Sequence, residues 1–149
     1  MLITKEMISI DVDLRSKDEV IMRSASLMNA AGKLNDESGY RKAVYEREAE
    51  ISTNLGDGIA MPHARTPFVK EPGLVFMRLK EAIPWEGGDQ PIRLVFGIAA
   101  PETGGDIHLK ILAKLARKLV YDDFKQKLFS IDKKDDLLAL IEEATGGLE

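Results

Sequence analysis

Apolar residues recur along this chain in two rhythms, and the switches between them mark out its elements. Ile8-Ser9-Ile10 with Val12 predicts a short opening strand. Ser16-Lys17-Asp18-Glu19 has the form of a capping box, in which a hydroxyl and a carboxylate three residues later satisfy the free N–H groups of a helix start. Val20, Ile21, Leu27, Met28 and Ala31 follow at helical spacing until Gly32. Asp36 opens a second helix that carries Tyr40, Ala43 and Val44 and runs to about Glu48. From Thr53 to Met61 the pattern is Gly-rich and loop-like, with strand potential at Gly58–Met61. In Leu74–Lys80, Val75, Met77 and Leu79 alternate with Phe76, Arg78 and Lys80, which predicts a half-buried strand.

Ile92–Ala100 is apolar almost throughout, the pattern of a central strand covered on both faces. After a turn-rich stretch from Pro101 to Gly105, Asp106 stands where a helix cap belongs, and Ile107, Ile111, Leu112, Leu115 and Leu119 form a buried stripe. Asp122–Phe129 reads as a short helix and Asp132–Ala144 as a closing amphipathic one. Three or four strands interleaved with five helices predict the α/β class: a single domain with a mixed β-sheet and helices packed on both faces.

Composition narrows the chemistry. The 149 residues suffice for one domain with its own core, and the hydrophobic fraction of 44% and charged fraction of 31% are those of a soluble globular protein. A net charge of −4 weighs against nucleic acid or an anionic membrane as partner. The absence of cysteine excludes disulfides, a thiol nucleophile and thiolate metal ligands. No stretch approaches the roughly 20 apolar residues of a membrane span, and no secretory leader is evident, so a cytoplasmic location without membrane insertion is expected. Leu148-Glu149, after Gly146-Gly147, is compatible with a cloning remnant; the domain is taken as residues 1–147.

Two histidines carry the candidate chemistry. His63 ends Gly56-Asp57-Gly58-Ile59-Ala60-Met61-Pro62-His63-Ala64-Arg65, where glycines permit a sharp turn and Pro62 holds its predecessor extended. The residues alone leave it either an ordinary surface histidine or an exposed reactive group. His108, with Ile111, Leu112 and Leu115 at +3, +4 and +7, is either a half-buried packing residue or, after Gly104-Gly105-Asp106, an anion ligand at a helix N-terminus. A two-histidine metal hydrolase is a weaker alternative, because there is no H-x-x-x-H spacing and no evident third ligand. No cofactor or metal is therefore expected.

Arg47-Glu48, then Thr53, then Leu55-Gly56-Asp57-Gly58-Ile59-Ala60-Met61-Pro62-His63-Ala64 resembles the phosphorylation-site signature of the mannitol/fructose-type enzyme IIA domains of the bacterial phosphoenolpyruvate:sugar phosphotransferase system. Pro91–Glu102, followed by His108-Leu109 and Leu112-Ala113-Lys114-Leu115-Ala116, resembles a second block of the same family, so the likeness covers almost the whole chain. It implies that His63 is phosphorylated by the phosphocarrier HPr and passes the group to a cysteine of enzyme IIB, with the membrane enzyme IIC served indirectly. It also implies that His108 and Arg47 border the phosphate. Thr53 and Asp57 are lesser candidates, a hydroxyl or cap and an acidic neighbour or turn residue respectively. Ala64 and the Gln90–Glu102 block favour the fructose-like transport branch over a regulatory, nitrogen-type homologue that acts by binding partners. With no cysteine, the usual IIB domain is expected elsewhere, on separate chains or in a fusion from which this is a piece. No helix-turn-helix region precedes the domain, so a complete transcription regulator is not expected.

Overall fold

In the computed structural model, which describes residues 1–146, β1 (Ile8–Val12) leads into α1 (Lys17–Ala30) and α2 (Glu37–Glu50). Three short strands follow: β2 (Asn54–Gly56), β3 (Ile59–Ala60) and β4 (His63–Arg65). The long strands β5 (Gly73–Ile83) and β6 (Ile92–Ala100) precede α3 (Ile107–Leu119), α4 (Asp122–Ser130) and α5 (Lys134–Ala144). The boundary at Gly147 and the reading of Leu148-Glu149 lie outside the described residues.

The sheet is mixed, in the order β1-β5-β6-β3-β2, with β4 also paired to β6. β6 is its organising strand. On one edge it pairs antiparallel with β5; on the other it takes β3 and then β4, both parallel. This arrangement stacks two short segments end to end along one long strand. Among the described residues, five α-helices and six strands make a single α/β domain, as the sequence pattern predicts.

Several local signals act as expected. The Ser16 hydroxyl accepts the Glu19 N–H at 3.1 Å, while the Glu19 carboxylate reaches back to the Arg15 N–H at 2.8 Å. Val20, Ile21, Ala25 and Met28 then form the buried face of α1. Asp36 caps α2 through the Gly39 N–H, and α2 continues two residues past Glu48. Asp106 occupies the N-cap position of α3 but makes no side-chain cap bond.

Two segments depart from expectation. Residues 73–79 of β5 are buried without alternation, because both faces of this strand are covered. Arg78, read as the polar side of a half-buried strand, is 1% exposed; its guanidinium donates to Asp11, Asp132 and the carbonyls of Leu128 and Ile131. These acceptors are what make its burial tolerable. In Thr53–Met61 the strand potential at Gly58–Met61 is realised as β3, but the part read as loop-like also holds β2, and the two form a hairpin whose turn residues, Asp57 and Gly58, have φ of 55° and 78°. Asp-Gly suits such a turn because Gly pays nothing for positive φ and Asp little.

α1 lies close on the sheet at Gly97 of β6, where a Cβ would meet Ser24 Oγ at 2.3 Å and Val75 Cγ2 at 2.6 Å. α2 is tied to the next residue, since the Tyr40 hydroxyl donates to the Ile98 carbonyl at 2.9 Å. Ile98 is also the register partner of His63. One point on β6 thus fixes both a helix and the histidine strand.

Candidate functional site

β4 begins at His63 because Pro62 cannot donate to a ladder and Met61 turns away from β6. The Met61 N–H donates to the Thr53 carbonyl at 3.0 Å, and the Pro62 carbonyl accepts from the Ile98 N–H at 3.0 Å. Pairing with Ile98, Ala99 and Ala100 then carries His63, Ala64 and Arg65 along the end of β6. His63 is not the exposed side chain that its loop-like context suggests. It is 7% exposed, held down by β6 on one side and by α2, which packs on β4.

The imidazole has one clear partner. Its Nδ1 lies 2.9 Å from the Met61 carbonyl. A carbonyl can only accept, so Nδ1 carries the proton and the neutral ring keeps its lone pair on Nε2. Burial pushes the His63 pKa below the usual 6.5. The Met61 carbonyl opposes that shift, the Arg47 charge adds to it and the Glu48 charge opposes it. The net result is a neutral ring at physiological pH, with Nε2 unprotonated.

Around it is an open cavity of about 340 Å³, lined by His63, His108, Arg47, Arg65 and Thr66, with Ala43, Ala64, Glu46 and Glu50 completing the wall. Arg47, half-buried in the last turn of α2, donates to the Ile51 carbonyl at 2.8 Å. His108 is the second residue of α3, half-buried, with its ring centroid 6.5 Å from that of His63. Its pKa is lowered by burial first, then by the cost of a second imidazolium beside His63 and by the Arg65 charge, against which Asp106 acts. The buried Nδ1 of His108 has no hydrogen-bond partner among the described residues. A packing histidine would have one.

The structure therefore brings His63, His108 and Arg47 to one cavity. Thr53 and Asp57 do not line it. Thr53 is buried and its hydroxyl donates to the Glu48 carboxylate. Asp57 is exposed at the hairpin turn and pairs with Lys125 of α4 at 3.0 Å. Arg65 is the cationic cavity residue that the sequence reading missed. It sits at i+2 from His63 on a strand, hence on the same face, and that period-two relation is the signal that could have found it. Its guanidinium also donates to the Glu102 carbonyl at 2.8 Å, tying β4 to the segment that leads into α3.

Two guanidinium groups, an imidazole with an unused nitrogen and an unprotonated Nε2 share this cavity. That donor set suits a tetrahedral oxyanion attached to or approaching His63. No group of three or more His, Cys, Asp or Glu among the described residues is placed to hold a metal ion, which leaves the metal-hydrolase alternative without a ligand set. No helix among the described residues is long and apolar enough to cross a membrane.

Comparison with known proteins gives the family. A fructose-specific EIIABC component of the phosphotransferase system from Bacillus subtilis is 36% identical over 143 residues, covering 95% of this chain and 22% of that protein. A fructose-specific EIIA component from Haloferax volcanii is 36% identical over 142 residues, covering 93% of this chain and 92% of that one. Among solved structures, the nitrogen regulatory protein IIA-Ntr from Neisseria meningitidis superposes with a TM-score of 0.85 at 27% identity, covering 93% of this chain and 94% of that one. The mannitol IIA of Escherichia coli superposes with a TM-score of 0.80 at 25% identity, covering 95% and 99%. The sequence model described as "Phosphoenolpyruvate-dependent sugar phosphotransferase system, EIIA 2" matches residues 1–144. Spanning nearly all of the fold and the whole of the cavity, that match makes this chain a member of the EIIA 2 family and a component of the sugar phosphotransferase system.

Proposed function

We propose that His63 is the phosphoryl-carrying residue, loaded by phospho-HPr and unloaded onto a cysteine of enzyme IIB during sugar uptake in the cytoplasm. The observation that carries this reading is the Nδ1 contact to the Met61 carbonyl, which leaves Nε2 as the nucleophilic nitrogen of a neutral ring. As the N–P bond of the donor breaks, the Nε2–P bond of His63 forms. The proton stays on Nδ1, donated to the Met61 carbonyl throughout, so no proton transfer has to accompany the step. Positioning and charge stabilisation dominate such transfers. Arg47 and Arg65 supply fixed positive charge to the moving oxygens, and the His108 imidazole supplies a further N–H donor.

This chain contains no cysteine, so the acceptor thiol belongs to another domain or polypeptide. The solved complex of the E. coli mannitol IIA with phosphorylated IIB, whose IIA is similar to this fold at a TM-score of 0.80, supports a IIB acceptor. The fructose-specific names of the two 36%-identical relatives support the fructose branch.

The likeness to the Neisseria nitrogen regulatory protein favours a second reading, in which the same phosphohistidine governs partner binding. Incubating the phosphorylated chain with a panel of IIB proteins separates the two. Rapid loss of the label to a fructose-type IIB is the result expected of a carrier. A label that no IIB accepts would assign the chain to the regulatory branch.

A further inference from the structure

Glu48 follows Arg47 in α2 but points the other way, into the protein. Its side chain is 3% exposed, it accepts the Thr53 hydroxyl on Oε1, and on Oε2 it accepts the Thr53 N–H at 3.4 Å and the Lys17 ammonium at 3.1 Å. Thr53 in turn accepts the Met61 N–H through its carbonyl at 3.0 Å, and the Met61 carbonyl accepts the proton of His63 Nδ1 at 2.9 Å. An unbroken run of hydrogen bonds thus joins α1, α2, the start of β2 and the nucleophile.

We propose that Glu48 is a positioning residue for His63: by clamping Thr53 it holds Met61 in place, and so fixes the tautomer and ring orientation of the histidine it does not touch. The clamp is needed at this point in the chain. Met61 lies between β3 and β4, where neither strand's ladder reaches it. Its carbonyl is oriented only by the residues around it. A buried carboxylate is a costly anchor unless its lone pairs are filled, and here three donors from two directions fill them. Lys17, which also lies 5.1 Å over the Trp85 ring, completes the pairing from α1.

The inference rests on the phosphoryl-carrier reading for its functional consequence, but not for its structural one. Two-bond ¹H–¹⁵N correlation spectra of the unphosphorylated, ¹⁵N-histidine-labelled chain read the His63 tautomer directly. The wild type should show the proton on Nδ1. Glu48→Gln, which puts an amide donor where a second acceptor is needed, should give a mixture with a substantial Nε2–H fraction. It should also slow loading by phospho-HPr about tenfold or more, the scale on which misplacing a reacting group acts. Thr53→Val should do the same while keeping the carboxylate and its Lys17 pair, and Thr53→Ser should retain the wild-type tautomer. An unaltered Nδ1–H tautomer in both Glu48→Gln and Thr53→Val, whatever their melting temperatures, would overturn the proposal. If Glu48→Gln does not fold, Thr53→Val decides alone. Failure of the carrier reading looks different: a wild-type chain with the Nδ1–H tautomer intact that takes no label from phospho-HPr.

Discussion

At the scale of single residues, the charge state of His63 follows from where it is placed. Burial disfavours the imidazolium, so the folded pKa lies below the 6.5 of an unfolded chain, and His108 is shifted the same way for the same first cause. The sign of the linkage is then fixed. The unfolded state binds these protons first as pH falls, so their contribution to stability is whole above about 6.5 and is lost as pH drops through the lower folded values. The melting temperature should fall over that window in the wild type, and the fall should be shallower in His63→Gln. Equal slopes in the two proteins would show that His63 is not held neutral.

Arg47 and His108 make separable predictions. Arg47 has one half-buried bond, to the Ile51 carbonyl, so Arg47→Ala should cost no more than about 1 kcal/mol of stability. On the proposed reading it should nonetheless slow phosphoryl transfer by a factor on the order of 10² or more, because it removes positive charge from the cavity that holds His63. Stopped single-turnover transfer from phospho-HPr measures this, and an unchanged rate would make Arg47 a solvated helix residue. His108→Ala should likewise stay within about 1 kcal/mol, since its Nδ1 has no hydrogen bond to lose. Labelling should persist, onward transfer should suffer, and His108→Gln should recover part of the rate. A large stability loss with normal onward transfer would assign His108 to packing.

At the scale of elements, the site depends on how α1, α2 and β4 converge on β6. Gly97 is the tightest point, and Gly97→Ala should overpack α1 against the sheet at a cost of about 1–3 kcal/mol, seen as a lowered denaturation midpoint with an unchanged slope. A neutral substitution there would mean that α1 can shift freely, against the account of a fixed platform. The long, periodic elements were legible in the sequence because helical stripes and the apolar run of β6 have strong periods. Of the short strands, β3 was legible only as strand potential at Gly58–Met61, and β2 and β4 were not, since segments of three residues contain no period to detect. Arg78 misled for a different reason: a charged residue marks an exposed face only when no buried acceptors await it, and Asp11, Asp132 and two carbonyls do. His63 was legible as a candidate from its motif, yet its burial was not, because the packing of α2 on β4 is a tertiary fact.

At the scale of the whole molecule, the His63 cavity lies at one end of β6, while the Arg78 cluster ties the α4–α5 connection to β1 and β5 away from it. On the proposed reading, the sheet holds His63 in place while the cavity stays open to a protein partner that brings or removes the phosphoryl group. The central claim is that one nitrogen of one residue carries that group. It is tested most directly by loading the chain with radiolabelled phosphoenolpyruvate, enzyme I and HPr, then mapping the label and repeating the reaction on His63→Ala. The account predicts a single acid-labile, base-stable phosphate on His63 Nε2 in the wild type and no label on the folded variant. Full labelling of folded His63→Ala, or a wild-type phosphate mapped to any other residue, would contradict it.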